Sequence, residues 1–263
     1  MYELHYIEET DSTSNRLKQM LAEGRQLPDG YTLYTFYQSA GRGQAGNSWE
    51  SERGKNLLFS TLLRSEKLKA AAQFNLSMLV SLAIANIVLR HTTTDGNNTQ
   101  PVSIKWPNDI YAGDRKLAGI LIENQLSGEH VHTSVAGIGI NVNQQMFLSD
   151  APNPVSLCSL TGKEYDLHRL MQETIEELHH LMPLLQQPQE LKSRYMSLLY
   201  RATGWHKYAE RQVSTMPTSI VQGYCSDAFE AETADIDNSG RLCLRLRDGS
   251  IRCYHFKEIR FVI

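Results

Sequence analysis

Residues 102–142, VSIKWPNDIYAGDRKLAGILIENQLSGEHVHTSVAGIGINV, contain four successive runs of strand-forming residues. The runs are Val102 to Trp106, Ile110 to Ala112, Lys116 to Asn124 and His130 to Val142. The Gly113-Asp114 pair between the second and third runs is typical of a tight turn, so we expect these two strands to form a hairpin. A block of strands without intervening helices favours an α+β fold over a doubly wound parallel sheet.

Helix-like patterns lie on both sides of this block. The segment Thr13 to Glu23 follows Ser12, a good N-cap residue, and precedes Gly24, a good C-cap residue. Further helices are predicted at Lys69 to His91, Leu167 to Leu185 and Glu190 to Ala202, and further strands at Tyr31 to Tyr37 and Leu57 to Leu63. Together these patterns predict helices packed on a mixed or antiparallel sheet.

The chain changes character near Gly204. No helical period is present from Gln212 to Ile263, and leucine occupies every second position from Leu242 to Leu246, as expected for a strand with one buried face. We therefore predict a small all-β barrel over residues 206–263, following a larger domain of residues 1–205.

Composition excludes several classes of protein. The chain has 263 residues, of which 41% are hydrophobic and 21% charged, which is typical of a soluble globular enzyme. A net charge of −3 gives no general attraction to nucleic acid. The polar N-terminus does not resemble a signal peptide, and the apolar stretch Leu76 to Leu89 is too short and too polar to span a bilayer. A cytoplasmic protein without a membrane partner is expected.

The cysteines and histidines predict no metal site. None of the four cysteines, Cys158, Cys225, Cys243 and Cys253, forms a CxxC pair, so a zinc site is disfavoured. Free buried thiols are favoured over disulfides, because the cytoplasm is reducing. The nine histidines are scattered without an HExxH pattern, so no metal ligands are assigned.

The segment 41–49, GRGQAGNSW, joins two predicted strands and holds three glycines and one arginine. Glycine allows a backbone to turn sharply or to approach a ligand closely, and arginine offers a planar cation to a carboxylate or phosphate. Such a loop can hold an anion against main-chain N–H groups. The alternative is an ordinary surface loop, in which glycine and polar residues are also common.

Four other segments carry unusual chemistry. DSTSN at 11–15 starts a helix and either caps it or presents hydrogen-bonding groups to a ligand. KWPND at 105–109 places Lys105 at a strand end, as an anion-binding cation or as an exposed lysine. Small residues in RKLAGILIE at 115–123 leave room for a ligand or for another backbone. In GIGINVN at 137–143 the glycines and asparagines share one face and the apolar residues share the other.

These segments together resemble the biotin–protein ligases, also called biotin–[acetyl-CoA-carboxylase] ligases. The resemblance rests on DSTSN at 11–15, QSAGRGQAGNSWES at 38–51, KWPNDIY at 105–111, RKLAGILIE at 115–123 and GIGINVN at 137–143, in the family's order. It covers roughly residues 1–200. The segment GRLCLRLRDGSI at 240–251, together with Glu258-Ile259, resembles part of the family's small SH3-like barrel. Since DSTSN begins ten residues from Met1, we expect a form without the N-terminal DNA-binding domain, and no DNA partner.

The resemblance implies a class II synthetase-like catalytic domain with two-step chemistry. Biotin and ATP, with Mg²⁺, would form biotinyl-5′-AMP, and the biotinyl group would pass to a lysine of a biotin carboxyl carrier protein domain. The chain would act as a monomer or homodimer. Because two anions must meet, positive charge aimed at the reacting groups is needed, and positioning supplies much of the rate.

The resemblance also implies roles for particular residues. Biotin would be bound by Ser12, Thr13, Gln38, Gly41, Arg42, Lys105 and Gly119. ATP and the adenylate would be bound by Trp49, Asn108, Lys116, Asn141 and Glu258. Arg42 and Lys105 would be catalytic through their charge, whereas the metal ligands are not assigned.

The chain departs from the family pattern at two positions of the loop. Many members carry an arginine where Gln44 stands, and some carry a basic residue where Asn47 stands. We hypothesise that the adenylate is held less by charge and more by packing of the loop. Two other functions stay open, a lipoate–protein ligase and a non-catalytic biotin or nucleotide sensor. KWPND and the loop favour biotin over lipoate, and Lys105 favours catalysis over sensing.

Overall fold

The computed structural model describes residues 2–65, 67–94, 97–98, 100–148, 153–211 and 228–263. Within these ranges seven strands form the main sheet, in the order β1-β2-β3-β9-β8-β7-β6. The strands are β1 Glu3–Tyr6, β2 Tyr31–Thr35, β3 Leu57–Arg64, β6 Val102–Lys105, β7 Asp109–Ala112, β8 Arg115–Ser127 and β9 His130–Ile140. Only β1 and β2 pair in parallel among these strands, so the predicted mixed sheet is confirmed.

The block 102–142 forms three successive hairpins, as its pattern predicts. The β7–β8 turn contains Gly113, whose φ of +58° suits glycine. The first strand of the block ends one residue earlier than predicted, at Lys105, and the last ends at Ile140. Lys105 and Asn141 therefore both lie where a strand gives way to a loop.

Helices cover the sheet, and α2 forms the centre of the main hydrophobic core. The helices are α1 Thr13–Ala22, α2 Phe74–Thr92, α3 Leu157–Thr161, α4 Leu167–Leu181 and α5 Pro188–Ser197. Ser12 caps α1 as predicted, accepting a hydrogen bond from the Asn15 N–H. The long patterns after Lys69 and Leu167 each include a 3₁₀ turn, at Ala70–Ala72 and Met182–Gln186, so both α-helices are shorter than predicted. The last helix ends at Ser197 rather than Ala202.

One helical segment, Ala70–Thr92, is long and apolar enough to cross a membrane by length and composition. It exceeds the apolar stretch Leu76 to Leu89 that the sequence suggested. In the structure 61% of its most apolar window is buried against the rest of the chain, as in a core helix.

The chain from His206 onward forms a second, antiparallel sheet in the order β13-β12-β11-β10-β14. Its strands are β10 His206–Glu210, β11 Phe229–Ile236, β12 Leu242–Leu246, β13 Ile251–Tyr254 and β14 Ile259–Phe261, while β4 Thr93–Thr94 and β5 Asn97–Asn98 form a separate short ladder. The small all-β region is thus confirmed, and a closed SH3-like barrel stays a prediction.

The expectation of free thiols is wrong for two cysteines. Cys243 and Cys253 form a disulfide, with Cα atoms 4.0 Å apart. They are direct partners across β12 and β13, so the hairpin register brings them within bonding distance. Cys158 is free, and Cys225 lies outside the described residues.

The two sheets are held together by specific contacts. The buried Trp106 indole N–H donates to the Gly240 carbonyl at 2.9 Å. Lys192 on α5 pairs with Asp235 on β11, with a distance of 2.8 Å between Nζ and Oδ1. These contacts place the second sheet beside the loop that follows β6.

Candidate functional site

A cavity of about 900 Å³ lies between the main sheet, the N-terminus of α1 and the end of the second sheet. Among the described residues, five basic side chains line it, from Arg42, Lys105, Lys116, Lys257 and Arg260, and two acidic ones, from Glu50 and Asp109. The chain as a whole has a net charge of −3. Positive charge is therefore concentrated at the cavity, which suits an anionic ligand.

Two facing glycines form the floor of the cavity. Gly119 on β8 pairs directly with Gly139 on β9. A Cβ atom at Gly119 would lie 2.7 Å from the Trp49 ring, and one at Gly139 would lie 2.6 Å from it. The missing side chains therefore let the indole lie directly on the sheet. Its Nε1 is buried and has no hydrogen-bond partner among the described residues.

The segment 41–49 is a short hairpin that covers this floor, and we call it the glycine lid. Its ends are joined by hydrogen bonds from Trp49 N to Gly41 O at 2.9 Å and from Gly43 N to Asn47 O at 2.6 Å. A Cβ at Gly41 would lie 2.6 Å from the Trp49 carbonyl oxygen, so glycine allows this close approach. Gly41 itself is buried behind the cavity wall, whereas Arg42 lines the cavity.

Polar groups at the start of α1 form one wall. Thr13 donates to Gln38 Oε1 from its backbone N–H at 2.8 Å and from its hydroxyl at 3.0 Å. The hydroxyl of the fully buried Ser60 lies 2.8 Å from that of Thr13 and 2.9 Å from that of Ser14. The sequence pattern did not single out Ser60, because a single small serine inside an apolar strand is typical of an ordinary buried strand position.

Lys105 lies where β6 ends, with its ammonium largely withdrawn from water. It donates a hydrogen bond of 3.0 Å to Tyr111 Oη, and the Phe261 ring centroid lies 5.4 Å from its Nζ. Burial is the main cause that lowers the pKa of Lys105 to about 8. A cation in so dry a position attracts an anion more strongly than one in water.

The predicted nucleotide-side residues are tied to their neighbours. Lys116 forms an ion pair of 2.7 Å with Asp109. Asn108 donates to the Ile120 carbonyl at 2.9 Å, and Asn141 donates to the Val155 carbonyl at 3.2 Å. These two amides brace the backbone around the cavity and also line it.

The second sheet closes the far side with residues that sequence patterns missed, Phe256, Lys257, Ile259, Arg260 and Phe261. Glu258, the residue predicted here, does not line the cavity. Its Oε2 accepts a hydrogen bond of 2.7 Å from the His255 N–H and so closes its own turn. Its role toward the nucleotide stays a prediction.

A buried amide network joins Glu50, the residue that follows the glycine lid, to the segment that follows β9. The Gln144 Nε2 donates to Glu50 Oε1 at 3.2 Å, and its Oε1 accepts from the Asn56 side chain. The Asn56 Oδ1 accepts from the Val142 N–H at 3.0 Å. Both amides are essentially unexposed, so this network links two walls of one cavity.

Comparison with known proteins identifies the family of this chain. The model of the Biotin/lipoate A/B protein ligase family matches residues 6–141, just over half of the chain. The chain belongs to this family. The match includes the glycine lid, both glycines of the cavity floor, Lys105 and the α1 wall, whereas the walls from Phe147 and the second sheet lie beyond it.

Several curated proteins are similar to this family member. The bifunctional ligase/repressor BirA of Escherichia coli is 40% identical over 52% of this chain, which covers 39% of that protein. BirA of Salmonella typhimurium is 35% identical, and the match covers 55% of its length. The chain thus spans about two fifths to just over half of these relatives. The biotin–[acetyl-CoA-carboxylase] ligase of Mycobacterium tuberculosis is 29% identical over 92% of this chain and 83% of that protein.

The fold of the whole chain also has a solved counterpart. The biotin protein ligase from Aquifex aeolicus, determined in complex with biotin and ATP, superposes with a TM-score of 0.75 over 100% of both chains at 24% identity. At this identity the similarity establishes the fold, including the second sheet. The α+β architecture predicted from the sequence is therefore that of a solved member of the family.

The structure brings together most of the residues that the family resemblance suggested. Ten of them line one cavity, although they come from segments far apart in the chain. They are Ser12, Thr13, Gln38, Arg42, Trp49, Lys105, Asn108, Lys116, Gly119 and Asn141. Only Gly41 and Glu258 lie off its surface. Their proposed contacts with biotin and the nucleotide are not tested by this arrangement.

Proposed function

We propose that this protein activates biotin with ATP to biotinyl-5′-AMP and transfers the biotinyl group to a lysine of a biotin carboxyl carrier protein domain. The observation that carries the proposal is that Arg42 and the half-buried Lys105 line one basic cavity above a glycine floor. The curated ligase of Mycobacterium tuberculosis, which this chain matches over most of its length, supports the same activity.

The chemistry suits the site. A carboxylate oxygen of biotin attacks the α-phosphorus of ATP, the α–β phosphoanhydride bond breaks and pyrophosphate leaves. Both reactants are anionic, so Arg42 and Lys105 lower the barrier by offsetting their repulsion and the charge that develops on the phosphate. In the second step the amine of the carrier lysine attacks the acyl carbon, AMP leaves and the amine loses a proton to water.

The glycine lid has a physical purpose in this sequence of steps. A mixed anhydride of a carboxylic and a phosphoric acid hydrolyses readily, so water must be excluded until the carrier arrives. The Trp49 indole covers the glycine floor, and the Gln144 network holds Glu50, the residue that follows the lid. The lid would open to admit substrates and close over the intermediate.

Mg²⁺ belongs to the proposal as a partner of ATP. It would neutralise part of the triphosphate charge. Asp109 and Glu50 are the carboxylates among the described lining residues, and carboxylate oxygens suit Mg²⁺, so each would be a candidate ligand. The cluster of Asp237, Cys243 and Cys253 does not fit a metal, because its two sulfur atoms form a disulfide.

The test measures pyrophosphate release and biotin binding in the unaltered protein and in Lys105→Ala. We expect adenylate formation to fall by about two or more powers of ten while part of the biotin binding survives, the scale of losing one electrostatic donor. Lys163→Ala, at an exposed position away from the cavity, is the control and should leave both unchanged.

Two outcomes would contradict the proposal. Unchanged turnover in Lys105→Ala would remove the catalytic assignment and favour a sensor. Pyrophosphate release with lipoate but not with biotin would identify a lipoate ligase instead. Transfer of labelled biotin onto a carrier domain, or its failure, decides the second step.

A further inference from the structure

The guanidinium of Arg42 is held between a helix and a strand outside the glycine lid. Its Nη1 donates to Asn15 Oδ1 at 2.7 Å, and its Nη2 lies 3.5 Å from Glu123 Oε1. Arg42 is the only basic residue of the lid, so its placement sets where the lid presents positive charge. An unrestrained arginine side chain has many rotamers, and fixing it before binding removes an entropic cost.

We call the contacts of Arg42 with Asn15 and Glu123 the clamp. Asn15, on its helix side, is itself held in place by neighbouring side chains. Asn15 and Lys18 are three residues apart on α1 and so share one face of the helix, and Asp11 lies just before the N-cap Ser12. The Asn15 Nδ2 donates to Asp11 Oδ2 at 3.1 Å, which turns the amide oxygen of Asn15 toward Arg42. The same hydrogen bond is the main cause that lowers the pKa of Asp11, so its carboxylate stays charged and keeps the amide oriented.

The strand side of the clamp continues the floor of the cavity. Glu123 lies four residues after Gly119 on β8, and therefore on the same face of the strand. Its Oε1 is shared by Lys18 Nζ at 2.7 Å and by Arg42. Its Oε2 is buried and has no hydrogen-bond partner among the described residues. A buried acceptor without a donor costs free energy, which a second N–H from the Arg42 fork would recover.

We propose that Asn15 and Glu123 are positioning residues that hold Arg42 over the cavity and thereby anchor the glycine lid. Neither residue lines the cavity, so both act through Arg42 rather than through the ligand. The proposal deepens the proposed function, because it explains how a lid with a single cation aims that cation at a carboxylate. Its first test nevertheless needs no ligand.

The ligand-free test is hydrogen exchange of the lid amides that make hydrogen bonds, those of Gly43, Asn47 and Trp49. We expect Glu123→Gln and Asn15→Ala each to raise their exchange about two- to fivefold, as expected when a partly exposed charged contact is lost. Arg42→Met should do the same. Each double variant with Arg42→Met should exchange no faster than Arg42→Met alone, since the two residues act through Arg42.

A second readout is biotin affinity measured by calorimetry, with biotin methyl ester as the uncharged probe. Glu123→Gln should weaken biotin about tenfold or less, within the range of a partly exposed ionic contact, and leave the ester unchanged. Glu177→Gln is the matched control, because Glu177 forms a comparable 2.7 Å ion pair with Arg90 away from the cavity. It should alter neither exchange of the lid nor affinity.

The outcomes separate this proposal from the proposed function. If the effects of Glu123→Gln and Arg42→Met on lid exchange add, Glu123 does not act through Arg42 and the inference is wrong. If Glu123→Gln fails to fold, judged by its melting temperature, the Asn15→Ala cycle decides the question alone. If the unaltered protein binds no biotin, the proposed function fails, while lid exchange still decides whether Arg42 is clamped.

Discussion

Lys105, at the end of β6, donates a hydrogen bond of 3.0 Å to the hydroxyl of Tyr111 on β7. Tyr111 is only 2% exposed, and burial is also the main cause that raises its pKa, so its hydroxyl stays neutral. The Phe261 ring of the second sheet lies 5.4 Å from the ammonium, so residues of both sheets partly bury this cation. The two sheets therefore set the charge state of Lys105 jointly.

This relationship predicts a pH dependence. Burial lowers the pKa of Lys105 to about 8, so the ammonium is charged below that pH and loses its proton as the pH rises through it. We expect the affinity for biotin to fall above about pH 8, and the fall to move to lower pH in Tyr111→Phe, which removes an acceptor for the ammonium. Calorimetric titrations across this range measure both. In Lys105→Arg the fall in affinity should disappear, because the guanidinium stays charged. A pH profile that is unchanged in Lys105→Arg would contradict the assignment of the fall to Lys105.

The glycine floor predicts a coupled effect on stability. Gly139→Ala would place a Cβ 2.6 Å from the indole of Trp49. We expect the free energy of unfolding to fall by about 1–3 kcal/mol, as overpacking does, and the loss to be much smaller in a Trp49→Ala background. Denaturant unfolding of the two single variants and the double variant measures this. Equal losses in both backgrounds would mean that the indole does not lie on the glycine pair.

The lid predicts how the intermediate is retained. Trp49 covers the floor, whereas Gln44 carries no charge, so packing should hold the adenylate more than the Gln44 side chain does. We expect Trp49→Ala to speed adenylate dissociation clearly and Gln44→Ala to change it little. Release of preformed adenylate, followed with time, is the measurement. The opposite ranking would refute this hypothesis: adenylate dissociation that is much faster in Gln44→Ala and unchanged in Trp49→Ala.

The contact between the sheets predicts a loss of stability when its indole donor is removed. Trp106→Phe deletes the N–H that the Gly240 carbonyl accepts, leaving a buried acceptor unpaired. The free energy of unfolding should fall by about 1–3 kcal/mol, measured by urea unfolding. Trp205→Phe is the control, since Trp205 is only half-buried and lies beneath Arg247, and it should cost less. Equal costs would argue against a tight contact at Gly240.

The disulfide predicts sensitivity to reductant. It links residues ten apart, so in the chain-entropy model it contributes about 3 kcal/mol to the free energy of unfolding. Reduction should remove this contribution in the unaltered protein and in Cys158→Ser, whose substitution leaves the bond intact. Unfolding with and without reductant, together with alkylation of free thiols, measures both. Three alkylated cysteines or more before reduction would show that the bond does not form.

Local patterns were sufficient for much of the fold. Strand runs, the Gly113 turn and the Ser12 cap follow from periodicity and from steric limits that act within a few residues. Element ends were less certain, because a 3₁₀ turn and an α-helix share nearly the same apolar spacing over one turn. The motifs, rather than periodicity, predicted the residues of the cavity. Ser60 and Gln144 lie outside these motifs and were therefore missed.

By itself, the sequence determined most strands and helices, though not β1 or α3, together with the α+β class and the motifs that hold the candidate residues, because these depend on interactions between neighbours along the chain. Only the tertiary structure decided that Trp49 lies on Gly119 and Gly139, that Cys243 meets Cys253, and that Arg42 sits between Asn15 and Glu123. These contacts depend on strand register and on packing between segments distant in sequence. A one-residue change of register would turn the same side chains to the opposite face, and no local pattern records that choice.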